Sequence, residues 1–183
     1  MNDHIFFDIK ADDPNPKNAT ITEMAAIRTD GDGNVVSAFN EEFTKDTYFD
    51  VALQGLRSVV LEKRSEKVVI VSHFGEYSRT LLLSACKSAG LFDPFDGRVW
   101  IDTAQLCWPL VFSEVIPNRD LRSMAKYYGV GTNGIDTAKG DADITRECYW
   151  FMMDRFRIAQ RVEGGIRRVG NSFMGRVFSG INK

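Results

Sequence analysis

Apolar and polar positions divide this chain into stretches of two different periods. Ile5-Phe6-Phe7-Asp8-Ile9-Lys10 is an apolar run ending in charges, which predicts a buried strand that opens into a site. Pro14-Asn15-Pro16-Lys17-Asn18 is a loop, because prolines and the residues before them resist helix. Thr20 to Arg28 and Val35 to Phe43 predict two further strands, joined by the hairpin residues Asp30-Gly31-Asp32-Gly33-Asn34. From residue 49 to 64 the period becomes helical, with Val51, Leu53, Leu56, Val59 and Val60 on one stripe. Val68 to Val71 predicts a strand, Tyr77 to Ala89 a helix ended by Gly90, and Val99 to Asp102 a strand. Thr103 begins a helix limited by Pro109 and Pro117, Leu121 to Tyr128 a helix stopped by Gly129, and Asp141 to Arg161 a long amphipathic helix. A strand hairpin followed by strand and helix alternation predicts an α/β fold. Its mixed central sheet has antiparallel strands 1 to 3, then parallel strands, with helices on its faces.

From residue 163 the pattern changes. Ile166, Val169, Phe173, Val177 and Phe178 keep near-helical spacing, but Gly165, Gly170, Gly175 and Gly180 interrupt it. Each internal glycine costs a helix about 1 kcal/mol relative to alanine. The expected organisation is therefore one domain over 1–162 and a glycine-interrupted basic tail over 163–183.

Composition adds two constraints. A chain of 183 residues that is 44% hydrophobic buries one substantial core. The net charge of −2 is unevenly spread. From residue 155 onward the bases are Arg155, Arg157, Arg161, Arg167, Arg168, Arg176 and Lys183, against the single acid Glu163. An acidic body with a basic tail suggests a polyanion partner or self-association, besides the plainer reading of a solvated basic helix. Cys86, Cys107 and Cys148 are widely spaced among apolar neighbours and read as reduced core thiols. The first residues carry Asp3 and Asp8 and no signal-like apolar core, and no apolar run approaches the roughly 20 residues that cross a bilayer. A cytoplasmic location is the expectation.

The candidate chemistry begins at Asp8 and Lys10, which share one face of a strand because they are two apart. That places a carboxylate beside an ammonium, either a salt bridge closing a strand or half of a nuclease-like site. Asp30, Asp32, Asn34 and Glu41 have the spacing of a calcium loop, but Val35 stands where that loop needs glycine, so the turn reading prevails.

Read together, these segments resemble the DnaQ-like (DEDD) 3′-5′ exonuclease superfamily, which has a ribonuclease H-like fold. Phe7-Asp8-Ile9-Lys10 stands where that family has an apolar run and D-x-E, and Ile21-Thr22-Glu23-Met24-Ala25-Ala26-Ile27 is similar to its next strand. The stretch from Val71 to Leu81 resembles the second motif, and Ile101-Asp102-Thr103-Ala104-Gln105-Leu106 the I-D-T-x-x-L segment. Asp136-Thr137-Ala138-Lys139-Gly140-Asp141-Ala142 resembles the third, H-x-A-x-G-D-A. The resemblance covers roughly residues 5 to 155.

It implies two divalent ions, Mg²⁺ or Mn²⁺, held by four carboxylates, with a histidine accepting a proton from the attacking water. Asp8 and Asp141 match the expected carboxylates, whereas Lys10 replaces a Glu, Ser78 an Asp and Asp136 the His. An ammonium about 4 Å from a dication repels it by about 8 kcal/mol at an effective dielectric of ~20. If Lys10 stays in place, it neutralises Asp8 and Asp141 as a metal would. Asp12, Asp13, Glu76, Asp136 and Asp143 are the nearby acids that could rebuild a metal set, Asp136 also serving as a weak base.

The two readings are a degenerate exonuclease-fold protein that binds nucleic acid or protein, and an active metal-dependent 3′-5′ exonuclease on single-stranded DNA or RNA with an altered carboxylate set. A third uses the fold only as a platform for inhibition or assembly. The partner implied is a single strand or its 3′ end, contacted by Phe74, Tyr77, Arg79, Arg167 and Arg168, with Phe6 a further stacking candidate; the tail could instead engage protein or a second copy. His73 reads as a structural hydrogen-bonding residue, and Trp100, Trp108 and Trp150 as packing.

Overall fold

The structure is a computed structural model. It describes residues 2–16, 18–44, 47–62 and 67–179, of which 162–179 by backbone alone. In chain order the elements are β1 (Asp3–Ala11), β2 (Ile21–Thr29), β3 (Val35–Glu42), α1 (Phe49–Leu61), β4 (Val68–Ser72) and α2 (Gly75–Ser88). They continue with β5 (Val99–Asp102), α3 (Thr103–Leu106), α4 (Trp108–Phe112), α5 (Leu121–Tyr128) and α6 (Ala138–Ser179). One sheet runs in the order β3-β2-β1-β4-β5. Its first three strands are antiparallel, and β4 and β5 join parallel to β1. This is the mixed α/β arrangement expected from the sequence.

The central strand explains its own sequence. β1 is paired on both sides and buried from Ile5 to Ile9, so both faces need apolar residues and alternation is lost. Edge strand β3 instead alternates between exposed and partly covered positions. Ile5, Phe7 and Ile9 join a core cluster with Leu53 and Leu56 of α1 and Leu81 and Leu82 of α2. Asp8 and Lys10 project to the opposite face by strand alternation. The hairpin behaves as turn chemistry, since Asp30 Oδ1 accepts from the amides of Asp32 at 3.0 Å and Asn34 at 2.9 Å.

One ion pair lies inside this core. Arg28 of β2 is fully buried. Its Nε and Nη2 donate to Asp3 Oδ2 at 2.9 and 2.7 Å. Its Nη1 donates to the carbonyls of Val59 at 2.9 Å and Val60 at 3.2 Å, in the last turn of α1, where carbonyls lack helical partners. One side chain thus ties two strands to a helix end.

Two details depart from the sequence expectation. In α1 the buried face is Ala52, Leu53, Leu56, Val59 and Val60, with Val51 exposed, because residue 51 lies about 140° from the centre of that stripe. α6 starts three residues earlier than expected and its backbone continues to Ser179, through the glycines at 165, 170 and 175. The side chains of Arg167 and Arg168 and of the spaced apolar residues lie outside the described ones, as does Gly180.

The chain divides into two compact units, Met1–Cys148 and Tyr149–Lys183, a boundary inside the domain expected over 1–162. Within the second, Arg157 pairs with Asp154 at 3.2 Å. Cys86, Cys107 and Cys148 are buried free thiols, and burial pushes them up to about 11, 11 and 12, so they are inert near neutrality. Among the described residues no helix is long and apolar enough to cross a membrane.

Candidate functional site

Four elements converge on a cavity of about 250 Å³: the end of β1, the start of α2, Leu121 at the start of α5 and the first turn of α6. The start of α6 is fixed by groups from elsewhere. Glu23 of β2, the cross-strand partner of Lys10, accepts from the Ala138 amide at 2.8 Å. It satisfies one of the unpaired donors of the first turn and places a negative charge at the positive end of the helix. A Cβ on Gly140 would lie 1.9 Å from the Gly134 carbonyl oxygen, so only glycine fits beside Asp141. Asp136 has φ 79°, and its amide donates to Asp141 Oδ1 at 3.0 Å. Backbone geometry therefore aims Asp141 before any side chain answers it.

Lys10 answers it. Its Nζ donates to Asp141 Oδ2 and lies 3.0 Å from Asp8 Oδ2, so one ammonium bridges both carboxylates. Asp8 and Asp141 are buried and Lys10 is partly covered. Burial opposes the charge on Lys10, but the Asp8 carboxylate and the bond to Asp141 outweigh it and hold its pKa above the ordinary lysine value. Burial also raises Asp8, against the pull of Lys10, to about 7.

The other predicted residues fall into two groups. Phe74, Tyr77 and Ser78 line the cavity with His73. Ser78 is buried and receives a hydrogen bond from Ser72 Oγ at 3.3 Å, with no acid in its place. Tyr77 donates its hydroxyl to the Asp13 carbonyl at 3.0 Å, tying the loop after β1 to α2. The Asp136 carboxylate is largely exposed and pairs with Arg122 at 3.3 Å, so this residue serves the site through its backbone. Glu76 and Arg79 are exposed, and neither they nor Asp12, Asp13 or Asp143 line the cavity.

His73 is structural in its geometry, with Nδ1 2.9 Å from Thr103 Oγ1. Burial lowers its pKa to about 4, which makes it a neutral and weak proton acceptor. Among the described residues no group of three or more His, Cys, Asp and Glu side chains is placed to hold a metal ion. The two carboxylates that converge are already bridged by an ammonium. As arranged, this donor set does not fit a divalent cation.

Glu23 serves as a helix cap that the sequence pattern does not reveal, and Trp108, expected among packed residues, is 36% exposed. Glu23 had one sequence signal, its place in the strand expected beside β1.

This sheet, with three antiparallel strands followed by parallel ones and helices on its faces, is a ribonuclease H-like fold. Solved structures with the same fold include several of exonuclease I. The zinc-bound E. coli exonuclease I–ssDNA complex aligns with a TM-score of 0.66 at 15% identity, over 85% of this chain and 41% of that one. The E. coli enzyme with a dA16 oligonucleotide gives 0.60 at 15% identity, over 80% and 40%. Apo exonuclease I gives 0.58 at 16% identity, over 81% and 41%. The chain thus spans about two fifths of the length of these proteins. No protein-family model and no curated protein matches the sequence.

The buried charges make stability depend on pH with a definite sign. Asp8, raised to about 7, contributes stability that is present below its unfolded value of 3.8 and lost as pH rises through about 7. His73, lowered to about 4, does the opposite, losing its contribution as pH falls from 6.5 through about 4. Asp8→Asn should therefore gain stability relative to the native chain as pH rises from about 4 to about 7. Urea unfolding at several pH values measures this, and a difference that is flat or falls with pH contradicts the assignment.

Proposed function

We propose that this chain is an exonuclease-fold protein that binds single-stranded nucleic acid without cleaving it, Lys10 having replaced the metal. The observation that carries the reading is the ammonium bridging Asp8 and Asp141, which occupies the carboxylate oxygens a divalent ion would need. The fold supports a single-stranded ligand through similar structures of exonuclease I in complex with ssDNA, a dA16 and a dT13 oligonucleotide. Phe74 and Tyr77 border the cavity where a terminal base would enter, and Arg79 lies nearby on α2. In this proposal the arginines of the tail, Arg167 and Arg168 among them, add sequence-independent phosphate contacts, and the location is cytoplasmic.

The test is an assay on end-labelled single-stranded DNA and RNA with Mg²⁺ or Mn²⁺, beside an Asp141→Ala control. Expected are retained strands and measurable binding, with affinity and its salt slope both reduced on removing residues 165–183. Metal-dependent shortening that disappears in Asp141→Ala would establish the active exonuclease with an altered carboxylate set.

A further inference from the structure

Beside the cavity, four side chains from three segments form a row. The Arg119 guanidinium lies 5.3 Å from the ring centre of Phe74 and 4.9 Å from that of Trp108. Trp108 in turn stacks on Phe112 of the same helix at 5.1 Å and 18° between planes. Its indole is oriented by a 3.0 Å bond from Nε1 to Gln105 Oε1. Phe74 is 41% exposed and Phe112 78% exposed, so the row presents aromatic surface to solvent at both ends.

Three features single out its ligand. Among the described residues no carboxylate forms an ion pair with Arg119, which is half-buried. Two rings flank the guanidinium, so less side-chain freedom is lost when it binds a planar or tetrahedral anion. Phe74 lines the cavity of Asp8, Lys10 and Asp141, making the row continuous with that site. Open ring faces attract any apolar surface, but rings interleaved with an unpaired arginine match the alternation of base and phosphate in a single strand. A duplex has its base faces already stacked.

We propose that Phe74, Arg119, Trp108 and Phe112 form a nucleotide clamp outside the cavity. Arg119 takes a backbone phosphate, and the Trp108–Phe112 face takes the base of an unpaired nucleotide. The inference rests on the single-strand reading above and extends it by a second subsite.

The test measures binding of a fluorescein-labelled oligothymidylate, an otherwise identical strand carrying abasic sites, and inorganic polyphosphate. Phe112→Ala and Trp108→Ala should each weaken oligothymidylate binding about 5- to 100-fold, with Trp108→Phe restoring most of it. Arg119→Ala should weaken it and lower the salt slope by about one. On the abasic strand the two aromatic variants should lose little. Phe112 is largely in solvent, so Phe112→Ala decides the matter if Trp108→Ala does not fold. Native binding that all the variants leave within two-fold overturns the clamp and spares the single-strand reading. Equal losses on normal and abasic strands, or polyphosphate bound as tightly as the oligonucleotide, overturn base stacking at this row. Absence of binding by the native chain overturns both proposals.

Discussion

Replacing Lys10 with methionine is expected to destabilise the chain by about 3–5 kcal/mol at pH 8, because it leaves two buried carboxylates facing each other without a cation. Methionine preserves most of the stem volume, so the loss reports charge and not a cavity. At pH 5 the loss should be much smaller. Asp8 is already raised to about 7 by burial, and without the ammonium it takes up a proton and shares it with Asp141 instead of facing it ionised. Denaturant unfolding at the two pH values measures this. A loss independent of pH, or none, would mean that the ammonium does not balance these acids. A companion variant examines the same position from the other side. Lys10→Glu with Ser78→Asp adds two carboxylates at the cavity, and titration calorimetry should then detect tighter Mn²⁺ binding than by the native chain. No gain would count against the alignment of β1 and α2 with the exonuclease motifs.

The second large effect lies away from the site. Arg28→Met should cost about 3–5 kcal/mol, since it strands Asp3 in the core and leaves the carbonyls of Val59 and Val60 without a donor. Against a typical domain stability of about 5–15 kcal/mol, that loss is a large fraction of the whole. Changing Asp3→Leu together with Arg28→Met should recover part of it, because the uncompensated carboxylate is removed while the orphaned carbonyls remain. If the double variant is no more stable than the single one, the pairing with Asp3 is not the source of the loss, and the contact with the end of α1 is.

Most of the scaffold was legible because hydrophobic period reflects local geometry. The run from Ile5 to Ile9 announced a strand covered on both faces, and Leu53, Leu56, Val59 and Val60 announced the buried side of α1. Val51 was misplaced on that side because apolar character alone does not fix the phase of a helix when Ala52 can fill the same position. The glycine spacing in the C-terminal segment suggested interruption, yet the helical backbone runs to Ser179, since a propensity of about 1 kcal/mol per residue is a weak prior. Trp108 lay among apolar neighbours in sequence, which says nothing about which face its helix shows to solvent.

For the site, the sequence alone settled that Asp8 and Lys10 share a face, that glycine precedes Asp141, and that positions 10 and 78 carry a lysine and a serine. These follow from residue type and strand period, both of which are local. Only the tertiary structure decided that one ammonium reaches both carboxylates, that Asp136 offers its amide and turns its acid to Arg122, and that Glu23 caps the helix bearing Asp141. Each of these joins residues far apart in the chain or depends on a left-handed backbone angle. Such pairings are set by how β1, β2 and α6 pack against one another, and no period in the sequence encodes them.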